Sequence, residues 1–150
     1  MARQTVYVSG LDELRKGLRS APPAVKRRLG QVNFEAGKAV IGWAEQEAQS
    51  APAVTRHIFH AKALKASRAA RSARLTLGGK KPKIAFAPGA EYGAKKYKRF
   101  PPWKGNQWSP DSGKVGYAMH PAFRKRKSEF LDIYMAMLDK VLSEPFPEDV

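Results

Sequence analysis

The stretch AVKRRLGQVNFEAGKAVIGWAEQEAQ, residues 24–49, carries the longest regular pattern of the chain and decides its fold class. Apolar and small residues recur in it at steps of three and four, the period of an amphipathic α-helix. Pro23 suits the first helical position, and Ser50-Ala51-Pro52 predicts the end of the helix. At ~1.5 Å per residue the predicted helix is about 39 Å long. Its apolar stripe consists of Val25, Leu29, Val32, Ala36, Ala39 or Val40, and Trp43.

Three glycines, Gly30, Gly37 and Gly42, lie along this predicted helix. A glycine inside a helix costs about 1 kcal/mol relative to alanine, unless close packing of another backbone compensates for it. We therefore interpret the small residues of the helix as a surface on which a neighbouring element packs.

The second informative stretch is KIAFAPGAEYG, residues 83–93. The apolar run at residues 84–87 predicts a short strand, which ends at the Pro-Gly pair that follows it. Glu91 and Tyr92 then lead into a predicted turn at Gly93. Because Glu91 is the one acid in a basic region, we expect it to pair with a nearby Lys or Arg.

The residues before this stretch predict a partner for its strand. Apolar residues alternate with Arg74 and Thr76 over residues 72–77, a pattern typical of a half-buried strand. The sequence Gly-Gly-Lys-Lys at residues 78–81 then predicts a hairpin loop that joins this strand to residues 82–87.

The positive charge is concentrated in the middle of the chain. The formal net charge is +15, and residues 56–104 hold 14 Lys or Arg and one acid. Such a field favours an anionic partner. Residues 53–71 have little to bury, and their composition is compatible either with a basic helix or with an inserted, mobile basic arm. The cations that we expect to make electrostatic contacts are Arg56, Lys62, Lys65, Arg68, Arg71 and Arg74.

A long loop is predicted at residues 94–116, which are rich in glycine and proline. Aromatic side chains in such a loop favour contact with another molecule. A last helix is predicted to start at His120-Pro121 and to end near Ser143. The aromatic residues of the loop are Tyr97, Phe100, Trp103 and Trp108.

Length and composition favour a single domain over residues 1–150, with 43% hydrophobic residues to build a core. We expect an α+β domain, in which a small, mostly antiparallel sheet is flanked by the long helix and the C-terminal helix. The sequence has no cysteine, which excludes disulfides, thiolate zinc sites and a cysteine nucleophile. It also lacks the apolar core of a signal peptide and the ~18 apolar residues of a membrane span, so we expect a soluble protein.

Signals for enzyme chemistry are weak, and we expect no catalytic site, no metal and no cofactor. The sequence has no nucleophile elbow, phosphate-binding loop or dinucleotide fingerprint. His57 and His60 can share one face of a helix, but a zinc site needs three or four ligands. A small ribonuclease of the toxin type would use these histidines with Arg68 and Arg71 for acid-base catalysis and phosphate stabilisation.

Nucleic-acid binding is the stronger alternative. Lysines and arginines of residues 95–104 are interleaved with Tyr97, Phe100 and Trp103, the mixture of cations and stacking rings that single strands favour. No helix-turn-helix, zinc-finger or ribonucleoprotein motif accompanies them. The competing interpretation is a basic loop whose aromatic residues dock on a protein.

Four motifs in order resemble the tail-completion proteins of long-tailed bacteriophages, also described as tail-terminator, head-to-tail joining or tail-component proteins. The first motif is GLDEL at residues 10–14, after a β-prone run, and the second is a long helix closing on Ala51-Pro52. The third motif is EYG at residues 91–93, and the last is the helix entry MHPAF at residues 119–123. The chain departs from the family pattern in its basic residues up to Arg71.

The resemblance implies a structural virion protein of the tail neck region, present in the host cytoplasm during assembly. Such proteins form a ring, commonly a hexamer, at the head-proximal end of the tail tube and join it to the head-closure or connector protein, with DNA passing through the channel. A head-to-tail ring needs two different complementary patches on each subunit. The basic middle of the chain offers one, and the acid-rich residues 129–149 offer the other.

Aromatic side chains concentrate binding energy at protein interfaces. We therefore expect the contact with other subunits or neighbouring proteins to involve the aromatic loop and the residues that lead into it. These residues are Glu91, Tyr92, Tyr97, Phe100, Trp103 and Trp108.

Overall fold

The structure of the protein is a computed structural model that describes residues 16, 19–70, 72–108 and 113–143. It is an α+β fold with a two-stranded antiparallel sheet, a long helix and a C-terminal helix. The β-prone run, the GLDEL motif, Arg71 and the acidic end of the chain lie outside the described residues. The described elements are α1 (Pro23–Ala48), α2 (Ala53–His60), β1 (Leu64–Ser67), β2 (Arg74–Leu77), α3 (Ala87–Tyr92), α4 (Met119–Lys125) and α5 (Lys127–Ser143).

Helix α1 confirms the prediction made from its apolar period. Pro23 stands in its first turn, where the missing N–H of proline breaks no intrahelical hydrogen bond. Helices α4 and α5, the sheet and α2 all pack against α1, so this one helix organises the core. The predicted stripe is buried along most of its length, at Leu29, Val32, Ala36, Val40 and Trp43.

The sheet packs on α1 at Gly37, one of the three glycines. In the strand register Leu64 pairs with Leu77 and Ala66 with Leu75, which places these four apolar side chains on the face toward α1. A Cβ added at Gly37 would lie 2.9 Å from the Cβ of Ala66. The interpretation of the glycines as a packing surface is therefore confirmed for Gly37, and also for Gly30, where an added Cβ would lie 3.3 Å from the carbonyl oxygen of Arg68, the residue after β1. It is wrong for Gly42, which is exposed and faces open space.

The predicted basic arm at residues 53–71 is wrong over its described part, because these residues form α2 and β1. Ile58 and Phe59 of α2 are 5% and 1% exposed, and Leu64 of β1 is 5% exposed. Three well-spaced apolar residues are enough to attach the segment to the core, and its cations remain on the outside. The basic-helix alternative is correct for Ala53–His60.

The predicted hairpin between residues 72–77 and 82–87 is also wrong. Strand β2 forms where expected, but its partner is β1, and the backbone N–H of Gly78 donates to the carbonyl of Ala63 at 2.8 Å to close that pair. Residues 82–86 form turns, and α3 follows. Ile84 and Ala87 are 5% and 0% exposed, but Phe86 is 50% exposed, so the apolar run is only partly buried and is not a strand. Pro88 lies in the first turn of α3, where proline favours a helix start rather than the end of a strand.

The single closing helix of the prediction is two helices. The backbone at Arg126 has φ −121° and ψ 22°, which ends α4, and α5 then continues to Ser143, the predicted end. Helix α5 runs antiparallel to α1. Arg126 at its start bonds Gln46 near the end of α1, whereas the Tyr134 hydroxyl donates to the side-chain oxygen of Asn33 at 2.7 Å.

Candidate functional site

The junction between α3 and α4 is centred on Glu91. This residue is 0% exposed, and its Oε2 accepts hydrogen bonds from the backbone N–H groups of Ala118 and Met119, both at 3.0 Å. Its Oε1 accepts from the N–H of His120 at 2.9 Å. The first N–H groups of a helix have no intrahelical partner, and α4 has no side-chain cap of its own at Ala118. The Glu91 carboxylate therefore acts as the N-terminal cap of α4.

Within the described part of the chain, the predicted ion pair of Glu91 with a Lys or Arg is wrong, because its carboxylate accepts hydrogen bonds from backbone N–H groups instead. Burial raises the pKa of the Glu91 carboxyl above its usual value, while the hydrogen bonds from the backbone N–H groups of α4 act in the opposite direction. These N–H groups and the positive end of the helix dipole stabilise the carboxylate in place of a cation. Because Glu91 has no exposed surface, any effect on a partner passes through the loop that it holds.

Tyr92 and His120 lie side by side at the same junction. The Tyr92 hydroxyl is 3.1 Å from Nε2 of His120, and the two ring centroids are 5.4 Å apart. Burial raises the pKa of Tyr92 to about 12, with a further contribution from the charge of Glu91. Burial also lowers the pKa of His120, and Arg124 lowers it further. Both groups are therefore neutral at pH 7, and the tautomer of His120 decides which of the two donates the hydrogen bond.

Gly93 immediately precedes the segment that we call the aromatic loop, residues 94–108. Its φ is +80°, and a Cβ at this position would lie 2.7 Å from the carbonyl oxygen of Pro101 and would overlap that of Pro102. The N–H of Ala94 donates to Pro101 at 2.9 Å, and the N–H of Lys104 donates to the carbonyl of Tyr92 at 2.9 Å. The base of the aromatic loop is therefore closed by backbone hydrogen bonds, as close approach at a glycine allows.

Three predicted interface residues are exposed on the aromatic loop. Tyr97 is 60% exposed, Trp103 40% and Trp108 72%. Phe100 instead packs over Gly89, and the guanidinium of Arg99 lies 5.6 Å from the centroid of its ring. Phe100 thus anchors the loop to α3, while the other three rings face solvent. Their role in an interface stays a prediction.

The predicted electrostatic residues do not form one patch. In the strand register, Lys65 and Arg74 lie on the outer face of the sheet, opposite the apolar side. Lys62 pairs with Glu45 at 2.8 Å, and the Arg68 guanidinium lies 4.5 Å from the centroid of the Phe34 ring. Arg56 is exposed on α2. The sheet therefore places two of the described members, Lys65 and Arg74, on one face.

A cleft of about 910 Å³ that the sequence did not suggest opens beside the aromatic loop. It lies between the end of α1, the loop and the start of α4. The Nζ atom of Lys104 lies 4.0 Å from the centroid of the Tyr117 ring, and the Tyr117 hydroxyl donates to the carbonyl of Pro102 at 2.7 Å. Arg124 donates to the carbonyl of Val115 at 2.6 Å. We call this the basic cleft, and its cationic and aromatic residues are Trp103, Lys104, Lys114, Tyr117 and Arg124.

The two histidines considered for metal binding or ribonuclease chemistry, His57 and His60, are both exposed on α2. Within the ranges that the structure describes, no group of three His, Cys, Asp or Glu side chains could hold a metal ion. No described helix is long and apolar enough to cross a membrane.

Comparison of the chain with protein-family models, with curated proteins and with solved structures found no match.

Proposed function

We propose that this protein is a structural subunit of a bacteriophage neck, which closes the head-proximal end of the tail tube and joins it to the head connector. In this proposal the subunits form a ring, with a hexamer as the expected number, and the protein catalyses no reaction. The sequence motifs support it, and so does the arrangement of the exposed aromatic residues.

The observation that carries the proposal is the construction of the aromatic loop. Backbone hydrogen bonds close its base, and Phe100 anchors it on α3, yet Tyr97, Trp103 and Trp108 remain exposed. Exposure of large aromatic rings to water has a free-energy cost. Exposed rings on a loop with a fixed base are typical of residues that become buried in a protein interface. A loop of this kind suits a protein whose task is contact.

The distribution of charge supports a head-to-tail contact between copies. Lys65 and Arg74 lie on the outer face of the sheet, whereas Glu129, Asp132 and Asp139 are exposed on α5. A ring in which each subunit contacts the next through two different surfaces requires two different patches on each subunit. The exposed apolar residues Leu131 and Met135 of α5 extend the same surface.

Negative-stain microscopy with mass determination tests the proposal, first on the purified protein and then on the protein mixed with tail tubes. We expect rings in one of the two preparations. Trp103→Ala and Trp108→Ala should reduce ring formation and tail joining while the circular dichroism spectrum stays unchanged. Lys80→Ala, at an exposed position outside the aromatic loop, serves as the control. Normal assembly of both tryptophan variants would contradict the assignment of the loop.

Salt dependence tests the electrostatic part of the proposal. Contacts of exposed cations such as Arg56, Lys65 and Arg74 with an acidic surface weaken as the Debye length falls. We therefore expect assembly to decrease steeply between low and high ionic strength, and more gently after Lys65→Ala and Arg74→Ala together. Assembly that is independent of salt would count against the role of these cations.

Nucleic-acid binding is the second candidate function, and cation–ring pairs on the aromatic loop favour it. The Nζ atom of Lys95 lies 5.8 Å from the Trp103 ring centroid, and that of Lys96 lies 6.0 Å from the Tyr97 centroid. A dedicated nucleic-acid binder should shift short oligonucleotides as a monomer with a marked salt slope. A toxin-type ribonuclease should degrade RNA and lose that activity on His57→Ala. A neck subunit should enter rings or particles without either property.

A further inference from the structure

The basic cleft selects for a particular ligand chemistry. Trp103 and Tyr117 contribute aromatic surface, and Lys104 and Arg124 contribute positive charge to the same space. Among the described residues of its lining the one acid is Glu47, which is paired with Lys125 outside the lining. A ligand that complements the cleft therefore combines carboxylates with a flat apolar group.

Residues 144–150 of the chain, EPFPEDV, have this combination. The acids are Glu144, Glu148 and Asp149, and Phe146 stands between two prolines. Closely spaced prolines favour an extended polyproline II conformation, which docks in aromatic-lined grooves at a low cost in conformational entropy. The segment carries three negative charges toward a cleft whose described lining includes the cations Lys104 and Arg124.

We propose that residues 144–150 of one copy of this chain dock in the basic cleft of the next copy. This inference rests on the proposed ring, and it names the contact by which one subunit holds its neighbour. Phe146 lies against Trp103 and Tyr117, and the acids that flank it pair with the cations of the cleft.

The geometry of α5 excludes docking of this segment within its own chain. Tyr134 of α5 contacts Asn33, and the basic cleft begins at Glu47 near the other end of α1. Helix α5 continues away from the cleft to Ser143, so its end lies about 35 Å from Glu47 at ~1.5 Å per helical residue. Seven extended residues span at most about 25 Å, and Phe146 lies only three residues beyond Ser143. The docked segment therefore comes from another copy.

Disulfide trapping tests the inference directly, because the chain has no cysteine of its own. Two full-length variants, Ser50→Cys at the cleft and Val150→Cys in the segment, are mixed with tags of different mass and oxidised. We expect the mixed disulfide to exceed that of a control pair, Ser72→Cys with Val150→Cys, by roughly tenfold or more, since docking raises the local thiol concentration toward the mM range. Equal yields in the two pairs would overturn the inference.

A chain that carries both Ser50→Cys and Val150→Cys distinguishes docking between two copies from docking within one chain. Contact between copies should produce linked multimers on a non-reducing gel. A monomer with an internal disulfide would overturn the inference. In the mixed pair, adding Phe146→Ala or Lys104→Glu should lower the yield several-fold, and combining Lys104→Glu with Glu148→Lys should restore part of it.

Two further outcomes separate this inference from the proposed function. If the cysteine variants form rings but give no more Ser50–Val150 disulfide than the control pair, the docking of the segment is overturned and the ring proposal stands. Absence of rings and of tail joining would overturn the proposed function itself. A single-stranded oligonucleotide that binds the full chain, blocks the disulfide and loses affinity on Lys104→Glu would identify nucleic acid as the occupant and overturn the inference.

Discussion

The Oε1 atom of Glu91 accepts a hydrogen bond from the backbone N–H of His120 at 2.9 Å, although 29 residues separate the two positions. The residues between them include the aromatic loop, and Tyr92 and Gly93 hold its first end immediately after Glu91. One buried carboxylate thus connects the helix before the loop to the helix after it. This connection explains how a long irregular segment can present its rings from a fixed base.

Removal of the Glu91 carboxylate should destabilise the fold. Glu91→Ala leaves three backbone N–H groups at the start of α4 without their acceptor, so we expect a loss of about 2–4 kcal/mol in the free energy of unfolding. Urea denaturation at pH 7 measures it. Glu91→Gln retains one oxygen acceptor and should lose less. Glu129→Gln, at an exposed acid 3.8 Å from Arg126, should change stability by no more than ~0.5 kcal/mol. Similar effects of Glu91→Ala and Glu129→Gln would show that the cap is unimportant.

Stability should depend on pH through His120. Burial lowers the pKa of this imidazole below 6.5 in the folded protein. Above pH 6.5 the imidazole is neutral in both states and its contribution is complete. As the pH falls below 6.5, the unfolded chain takes up a proton that the folded protein resists, so stability decreases until the lowered pKa is reached. Urea denaturation from pH 7.5 to 5 should show this decrease, and His120→Gln should make it smaller.

Substitution of His120 is the test of this assignment. A slope of unfolding free energy against pH that is unchanged in His120→Gln would contradict it.

Two identical substitutions in α1 should have opposite effects. Gly42→Ala adds a methyl group in open space and should raise the free energy of unfolding by about 0.5–1 kcal/mol through helix propensity. Gly37→Ala places its Cβ 2.9 Å from that of Ala66 and should lower it by about 1–3 kcal/mol, since the sheet must move outward. Thermal or urea unfolding of the two variants measures both signs. Stabilisation by Gly37→Ala would show that the sheet is not packed on α1 as described.

The base of the aromatic loop should not tolerate a side chain at Gly93. Gly93→Ala combines a positive φ with overlap of the carbonyl of Pro102, so we expect a loss of at least about 2 kcal/mol and faster proteolysis within the aromatic loop. Gly113 is the matched control, because its φ is +69° and nothing lies within 4 Å of an added Cβ. Gly113→Ala should cost only the backbone strain, about 1 kcal/mol. Equal costs at the two positions would remove the argument for close backbone packing.

The elements with a strong local pattern were predictable, and those that depend on a distant partner were not. The period of α1 extends over many turns, so its bounds and its buried stripe agree with the prediction. The run at residues 84–87 is too short to distinguish a strand from a buried turn, and β2 pairs with β1 rather than with this run. For residues 53–71 the sequence allows a mobile arm as one of two alternatives, because their few apolar residues become buried only by packing against α1 and α3.

The candidate site divides in the same way. Exposure of Tyr97, Trp103 and Trp108 agrees with the composition of a glycine- and proline-rich loop. The basic cleft was missed because its lining comes from several separate parts of the chain, with no motif that relates Lys104 to Arg124. Gly105 and Gly116, which line the cleft with positive φ and close neighbours, were local signs of close packing there.

By itself the sequence determined the long helix, the α+β class, the end of the last helix and the concentration of positive charge, because local periodicity and composition encode these properties. The tertiary structure alone decided which strands pair, where Arg126 divides the closing helices, and what Glu91 does. The basic sequence around Glu91 suggests that its carboxylate pairs with a cation. In the fold the carboxylate instead accepts hydrogen bonds from N–H groups of α4 that have no intrahelical partner. Burial and backbone hydrogen bonds, which no local pattern records, made Glu91 a cap instead of half of an ion pair.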